Sequence, residues 1–141
     1  MVLTLTCSVP FGMFIAFSYK EYGMLKIDDD SFLTVIGSTG AVFNGLGRLF
    51  WGVMLDYFSF KLLSACVNGL LLVGCLTMPF MVGNEYAFLV AVSVIYFCYG
   101  GNYSIYPTHT VRVFGQKIGS KVYYLVFTGF SIGTFFYIQL A

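Results

Sequence analysis

The sequence predicts an all-α integral membrane protein, and three observations carry that prediction. Charged residues make up only 9% of the 141-residue chain and hydrophobic residues 59%, whereas soluble domains carry roughly 25% charged residues. Five apolar segments each approach the ~20 residues needed to cross a hydrocarbon core. The connections between them are short, so almost no chain is left for a soluble domain. The formal net charge is +1, which gives no footing for nucleic acid as a partner. The four cysteines, Cys7, Cys66, Cys75 and Cys98, lie inside apolar segments without metal-ligand spacing. They read as small side chains of a lipid-phase protein.

Span one covers 2–19, with Pro10 and Gly12 near its middle predicting a kink. It has no basic start and no evident cleavage site, and further spans follow, so it reads as a span and not as a signal peptide. A polar loop with three consecutive aspartates leads to span two, 32–55, and Asp30 or Ser31 is positioned to cap it. Gly37, Ala41 and Gly45 form a small-residue row that invites close helix contact. The connection near 57–61 is short enough to make spans two and three, 62–82, antiparallel neighbours. Gly83-Asn84-Glu85 is a tight turn into span four, 86–106, which Pro107 is expected to stop. A basic loop with His109, Arg112, Lys117 and Lys121 precedes span five, 122–141. With five alternating crossings, the turn after span two and the basic loop share one side with four lysines and arginines. The other side holds two, with five of the six acids. The basic side is then cytoplasmic, in a multi-pass protein whose particular membrane stays open between plasma and organelle.

One stripe stands out. Gly40, Asn44, Arg48, Gly52 and Asp56 recur every fourth residue, so a helix places them on a single slowly drifting face. A stripe of small and polar side chains on an apolar helix faces other helices or water. Arg48 lies eight residues before Asp56, about 12 Å along the helix axis. A central arginine costs roughly 2.5–3.5 kcal/mol by insertion scales. No other span has an acid in its body to pair with it. Three readings follow: recognition of a substrate or ion, a structural pair with a part of the protein outside these 141 residues, or snorkelling to the interface. The first accounts best for the depth. A guanidinium fork in a low-dielectric cavity suits a carboxylate or phosphate. Supporting polar groups are Asn44, then Tyr99, Asn102 and Tyr106 on one face of span four, and Tyr124, Thr128 and Ser131 in span five. Helix-to-helix hydrogen bonding competes for Asn102. Headgroup belts compete for many of the eleven tyrosines.

The stretch Gly52-Val-Met-Leu-Asp56-Tyr-Phe-Ser-Phe-Lys61 resembles the signature loop of the major facilitator superfamily, with Tyr57 and Ser59 departing from the usual arginine and glycine. Asn44-Gly-Leu-Gly-Arg48, Tyr99-Gly-Gly-Asn-Tyr-Ser-Ile-Tyr-Pro107 and Phe114-Gly-Gln-Lys-Ile-Gly119 resemble the branch of oxalate/formate antiporters and monocarboxylate transporters. The resemblance implies that the five spans are helices seven to eleven of a twelve-helix fold, a partial C-terminal half. It implies alternating access, with Arg48 binding a substrate carboxylate. A second cation expected for dicarboxylates is replaced near Phe130 by an uncharged residue, which favours a monocarboxylate. Gly52, Asp56, Lys61 and Arg112 become a conformational latch, in which Asp56 pairs with a cation or with helix-end amides in one state. The bland alternative is a charged turn that only sets topology.

The expected partners are a small organic anion, the lipid bilayer and a missing N-terminal six-helix half, in cis or in trans. The chain then reads as a fragment, not competent for transport alone. The rival is a non-transporting membrane subunit or a degenerate carrier with an assembly role, and an in-frame run of six further spans upstream of Met1 would discriminate against it. Nothing resembles a selectivity filter. The lone histidine in a loop and the scattered carboxylates offer no constellation for an enzyme, a metal or another cofactor.

Overall fold

A computed structural model of the protein describes Gly12, residues 18–24, Lys26, Ile27 and residues 29–140. Span one lies outside the described residues except for Gly12, Ser18 and Tyr19; Cys7, Asp28 and the side chain of Phe130 also lie outside them. The described chain is all-α. Helical residues 18–24 form α1, followed by α2 (Asp30–Tyr57), α3 (Phe60–Met81) and α4 (Glu85–Leu140).

Local chemistry sets the helix ends. The Gly23 carbonyl accepts from the amides of Lys26 and Ile27 and turns the chain. Lys20 then pairs with Asp30 at 2.8 Å, tying α1 to the start of α2. The cap of α2 is Asp29, one residue earlier than expected. Its extended backbone lets Oδ1 accept from the amides of Ser31, at 2.9 Å, and Phe32. Asp30 occupies the first turn, where negative charge meets the positive end of the helix dipole. Phe58 and Ser59 are extended and separate α2 from α3. Asn84 closes the next turn, and its side-chain oxygen accepts from the Tyr86 amide.

Three expectations from the sequence are corrected. Pro107 does not stop span four: α4 runs through it, and the break comes at Gly115 (φ 74°, ψ 165°). A proline removes one amide donor, which a long packed helix tolerates, whereas a positive φ is a conformation that favours glycine. The expected basic loop of 107–121 is therefore helical, and α4 has two limbs, 85–114 and 116–140. Second, two segments, not five, are long and apolar enough to cross a membrane among the described residues: Phe60–Met81 and Glu85–Leu125. Helix α2 has the length, 28 residues, but its serines, glycines, Asn44 and Arg48 lower its apolarity. Third, α2 and α3 are antiparallel but touch each other only marginally.

The first limb of α4 lies between them. Pairings of Gly40 with Tyr96, Gly47 with Phe97, Gly52 with Ser104 and Asp56 with Arg112 advance together, so α2 runs parallel to this limb. On the other side Phe60 meets Tyr106 and Gly74 meets Ile95, so α3 runs antiparallel to it. The second limb folds back on the first, bringing Phe127 to Tyr103 and Gly119 against the backbone of Thr110 and Val111. The core is built around the first limb, where Phe88, Val92, Ile95, Cys98 and Ile105 are almost fully buried. Leu63, Val67 and Leu71 recur every fourth residue on α3 and face it. The 57–60 turn and the Gly115 bend fall at one end of the molecule, so Asp56, Lys61, Arg112 and the 117–121 lysines share that end.

Candidate functional site

The stripe on α2 lies against α4, and two glycines make this possible. A Cβ on Gly47 would strike the Phe97 carbonyl, and one on Gly100 would strike the Asn44 carbonyl. Backbone therefore meets backbone at the level of Asn44 and Arg48. The Asn44 amide is fixed by both its ends. Its nitrogen donates to the Tyr96 carbonyl at 3.2 Å, and its oxygen accepts from Arg48 Nε at 3.2 Å. The Arg48 guanidinium carbon sits 5.1 Å from the centre of the Tyr103 ring, a cation–π distance. Tyr103 is in turn bonded to Tyr99, hydroxyl to hydroxyl at 2.7 Å, with the two rings edge to face. Phe127 and Tyr123 of the second limb extend this aromatic wall.

Arg48 is thus held by Nε and by one face, while its terminal nitrogens make no hydrogen bond or ion pair with any described residue. The side chain is exposed, not sealed in the core. A guanidinium gripped this way presents the two parallel N–H groups that match a carboxylate. Fixing the fork beforehand lowers the ordering cost when an anion docks.

The four expected substrate contacts divide. Asn44 and Arg48 are in direct contact, and Tyr99 joins them through Tyr103. Asn102 belongs elsewhere: it is 1% exposed and donates to Asn68 of α3 at 3.3 Å. Tyr106 likewise turns to α3, bonding Ser64 at 3.0 Å. Residues 99 and 102 are about 60° apart around the helix axis, so Tyr99 stands at the edge of their shared face towards α2 and Asn102 at the edge towards α3. Tyr103 was missed in the sequence, although its place four residues after Tyr99 was visible. Thr128 and Ser131 bond carbonyls of their own helix, those of Tyr124 and Phe127, and Tyr124 is exposed.

At the far end of the stripe, Arg112 Nη2 donates to the Asp56 carboxylate and Nη1 to the Leu55 carbonyl at 2.9 Å. The last turn of α2 contains no basic residue of its own. Arg112 supplies from α4 the cation that a helix C-terminus favours. A Cβ on Gly52 would come within 2.7 Å of Ser104 Oγ, so this glycine also permits the approach. Lys61 is exposed and makes no ion pair among the described residues. Beside this cluster His109 stacks flat on Phe60 at 3.9 Å.

The chain is similar to apicoplast pyruvate carrier 1 of Toxoplasma gondii, 27% identical over 128 residues. The match covers 82% of this chain and 23% of that relative, so the chain spans about a quarter of the relative's length. No family model and no solved structure matches it.

Proposed function

We propose that this chain is part of a membrane carrier for a small monocarboxylate, pyruvate being the first candidate, with Arg48 as the carboxylate-binding group. The observation that carries the reading is the half-satisfied guanidinium: Asn44 and the Tyr103 ring hold it, and its outer fork is turned to no described acid. The name of the relative supports transport of a monocarboxylate, and a single cation suits a single carboxylate. The outward face of α2 supports a bilayer or further helices as its surroundings. Val42, Leu46, Leu49, Phe50 and Val53 are exposed there, a pattern that water would penalise.

In this reading the chain is a partial C-terminal half of a major facilitator fold, its helices standing for the seventh to eleventh of twelve. Alternating access then rocks it against a first half supplied by the rest of a longer chain or by a partner. Gly52, Asp56, Lys61 and Arg112 form the latch of one state. In this reading the chain contributes to transport and not to catalysis: the described polar groups converge on binding an anion, with no nucleophile beside a base among them.

Uptake of labelled pyruvate by the full-length protein in proteoliposomes tests this. A charge-assisted hydrogen bond contributes about 1.5–3 kcal/mol, so Arg48→Ala lowers uptake at least ~10-fold. Arg48→Lys keeps the charge but not the fork and recovers only part of it. Undiminished uptake by Arg48→Ala at equal expression would remove Arg48 from the site.

A further inference from the structure

We propose that the outer face at the start of the second limb of α4 binds the headgroup of an anionic phospholipid, held by Lys117 and Lys121. Charge marks this end of the molecule. Asp56 is the one acid between residues 31 and 84, and none follows Glu85. Its carboxylate is taken by Arg112. Lys61, Lys117 and Lys121 are exposed and make no ion pair among the described residues. Three positive charges therefore stand here without a described acid to balance them, while Glu21, Asp29, Asp30 and Glu85 lie at the other end.

Packing fixes where two of these charges point. Gly119 is buried, and a Cβ there would come within 2.7 Å of the Val111 Cα. That contact sets the rotation of the second limb against the first. Lys117 and Lys121 each lie two residues from Gly119, about 200° around the helix axis. Both therefore project away from the first limb, about 40° apart around the axis and about 6 Å apart along it. Two ammonium groups so placed close on one phosphodiester from either side. Their combined charge exceeds that of one phosphodiester, which favours a lipid of net negative charge over a zwitterionic one.

The same face continues in the order of a membrane leaflet. Tyr124 and Leu125 come one turn further from the bend and are 71% and 77% exposed. Tyrosine suits the headgroup level, and leucine the acyl chains beneath it. Thr128 returns its hydroxyl to the Tyr124 carbonyl at 2.9 Å, so it offers the lipid no unmatched donor. A soluble phosphate would meet the two charges but would have nothing to lay along Tyr124 and Leu125. The inference rests on the chain lying in a bilayer and not on Arg48 carrying a substrate.

Photo-cross-linking of the full-length protein in phosphatidylcholine vesicles tests it. Trace phosphatidylserine, or trace phosphatidylcholine, carries a photoreactive group high on one acyl chain, and mass spectrometry reads the label on residues 117–128. A lysine near the membrane surface contributes about a fivefold preference for anionic lipid. The expected result is an excess of phosphatidylserine label that falls about fivefold in Lys121→Gln. It falls further in the double variant Lys117→Gln/Lys121→Gln and is retained in Lys117→Arg/Lys121→Arg. Equal labelling by the two lipids overturns the inference, as does an excess that the double glutamine variant leaves unchanged. Displacement of the label by inorganic phosphate at constant ionic strength overturns it too, assigning the lysines to a free anion. Labelling does not involve uptake, so its failure leaves the carrier proposal standing, and undiminished uptake by Arg48→Ala leaves this one.

Discussion

The first limb of α4 meets two helices in different ways. Against α2 the contact is between backbones, made by Gly47 and Gly100, with charge at its margins in Arg48 and Arg112. Against α3 it is between side chains, a ladder of Leu63, Val67 and Leu71 with neutral hydrogen bonds through Ser64, Asn68, Asn102 and Tyr106. Close backbone approach admits no adjustment, because a carbonyl cannot swing aside as a side chain can. It therefore sets a fixed platform, and Arg48 gains a defined position from it. A side-chain seam tolerates small shifts at modest cost. The α2 seam is thus suited to holding a ligand group in register, and the α3 seam to staying joined while neighbours move.

The largest effect should come from breaking the platform. Gly47→Leu places a side chain where the Phe97 carbonyl stands and is expected to abolish folding. Gly47→Ala should cost about 1–3 kcal/mol, read as a lower melting temperature in detergent. Asn68→Ala, on the other seam, strands the Asn102 amide and should cost about 1–3 kcal/mol, seen in the same melt. Tyr103→Leu should weaken anion affinity by removing a cation–π contact of about 0.5–2 kcal/mol, while Tyr103→Phe keeps the ring and most of that affinity. A fall in affinity no larger for Leu than for Phe would show that the ring does not seat Arg48.

Smaller effects are expected at the margins. Asp56 and Arg112 are about half exposed, 58% and 47% of their side chains, so their pairing contributes only ~0–1 kcal/mol. Asp56→Asn should leave insertion intact and shift the inward/outward balance, measured by cysteine labelling from each side. Unchanged labelling would reduce the pair to a helix cap. At the bottom of the range, Gly45 has nothing within 4 Å of a Cβ. Gly45→Ala should stabilise α2 by about 0.5–1 kcal/mol, opposite in sign to the same change two residues on.

That contrast shows how far the sequence could be read. Gly45 and Gly47 are the same residue in the same helix, and small-residue spacing marked the row of Gly37, Ala41 and Gly45 for close contact. Gly37 does meet Tyr19, but Ala41 and Gly45 are exposed, and the tightest approach falls to Gly47. Which face of a helix is buried depends on where its neighbours lie, which composition does not record. The same holds for Asn102, whose polarity marked it for a ligand but whose partner proved to be Asn68.

Periodicity and charge count, which are local properties, were enough to read the all-helical character, the five-residue stripe from Gly40 to Asp56 and an arginine in the body of a span that has no acid of its own. The sequence also located the turns at 57–60 and 83–85, where the chain carries its own punctuation. That Pro107 is tolerated while Gly115 bends, that Arg112 caps α2 and that Tyr103 seats Arg48 came from the folded arrangement of the helices. Each of these depends on groups more than fifty residues apart or on support from a packed neighbour, and such long-range choices are settled by which surfaces fit closest.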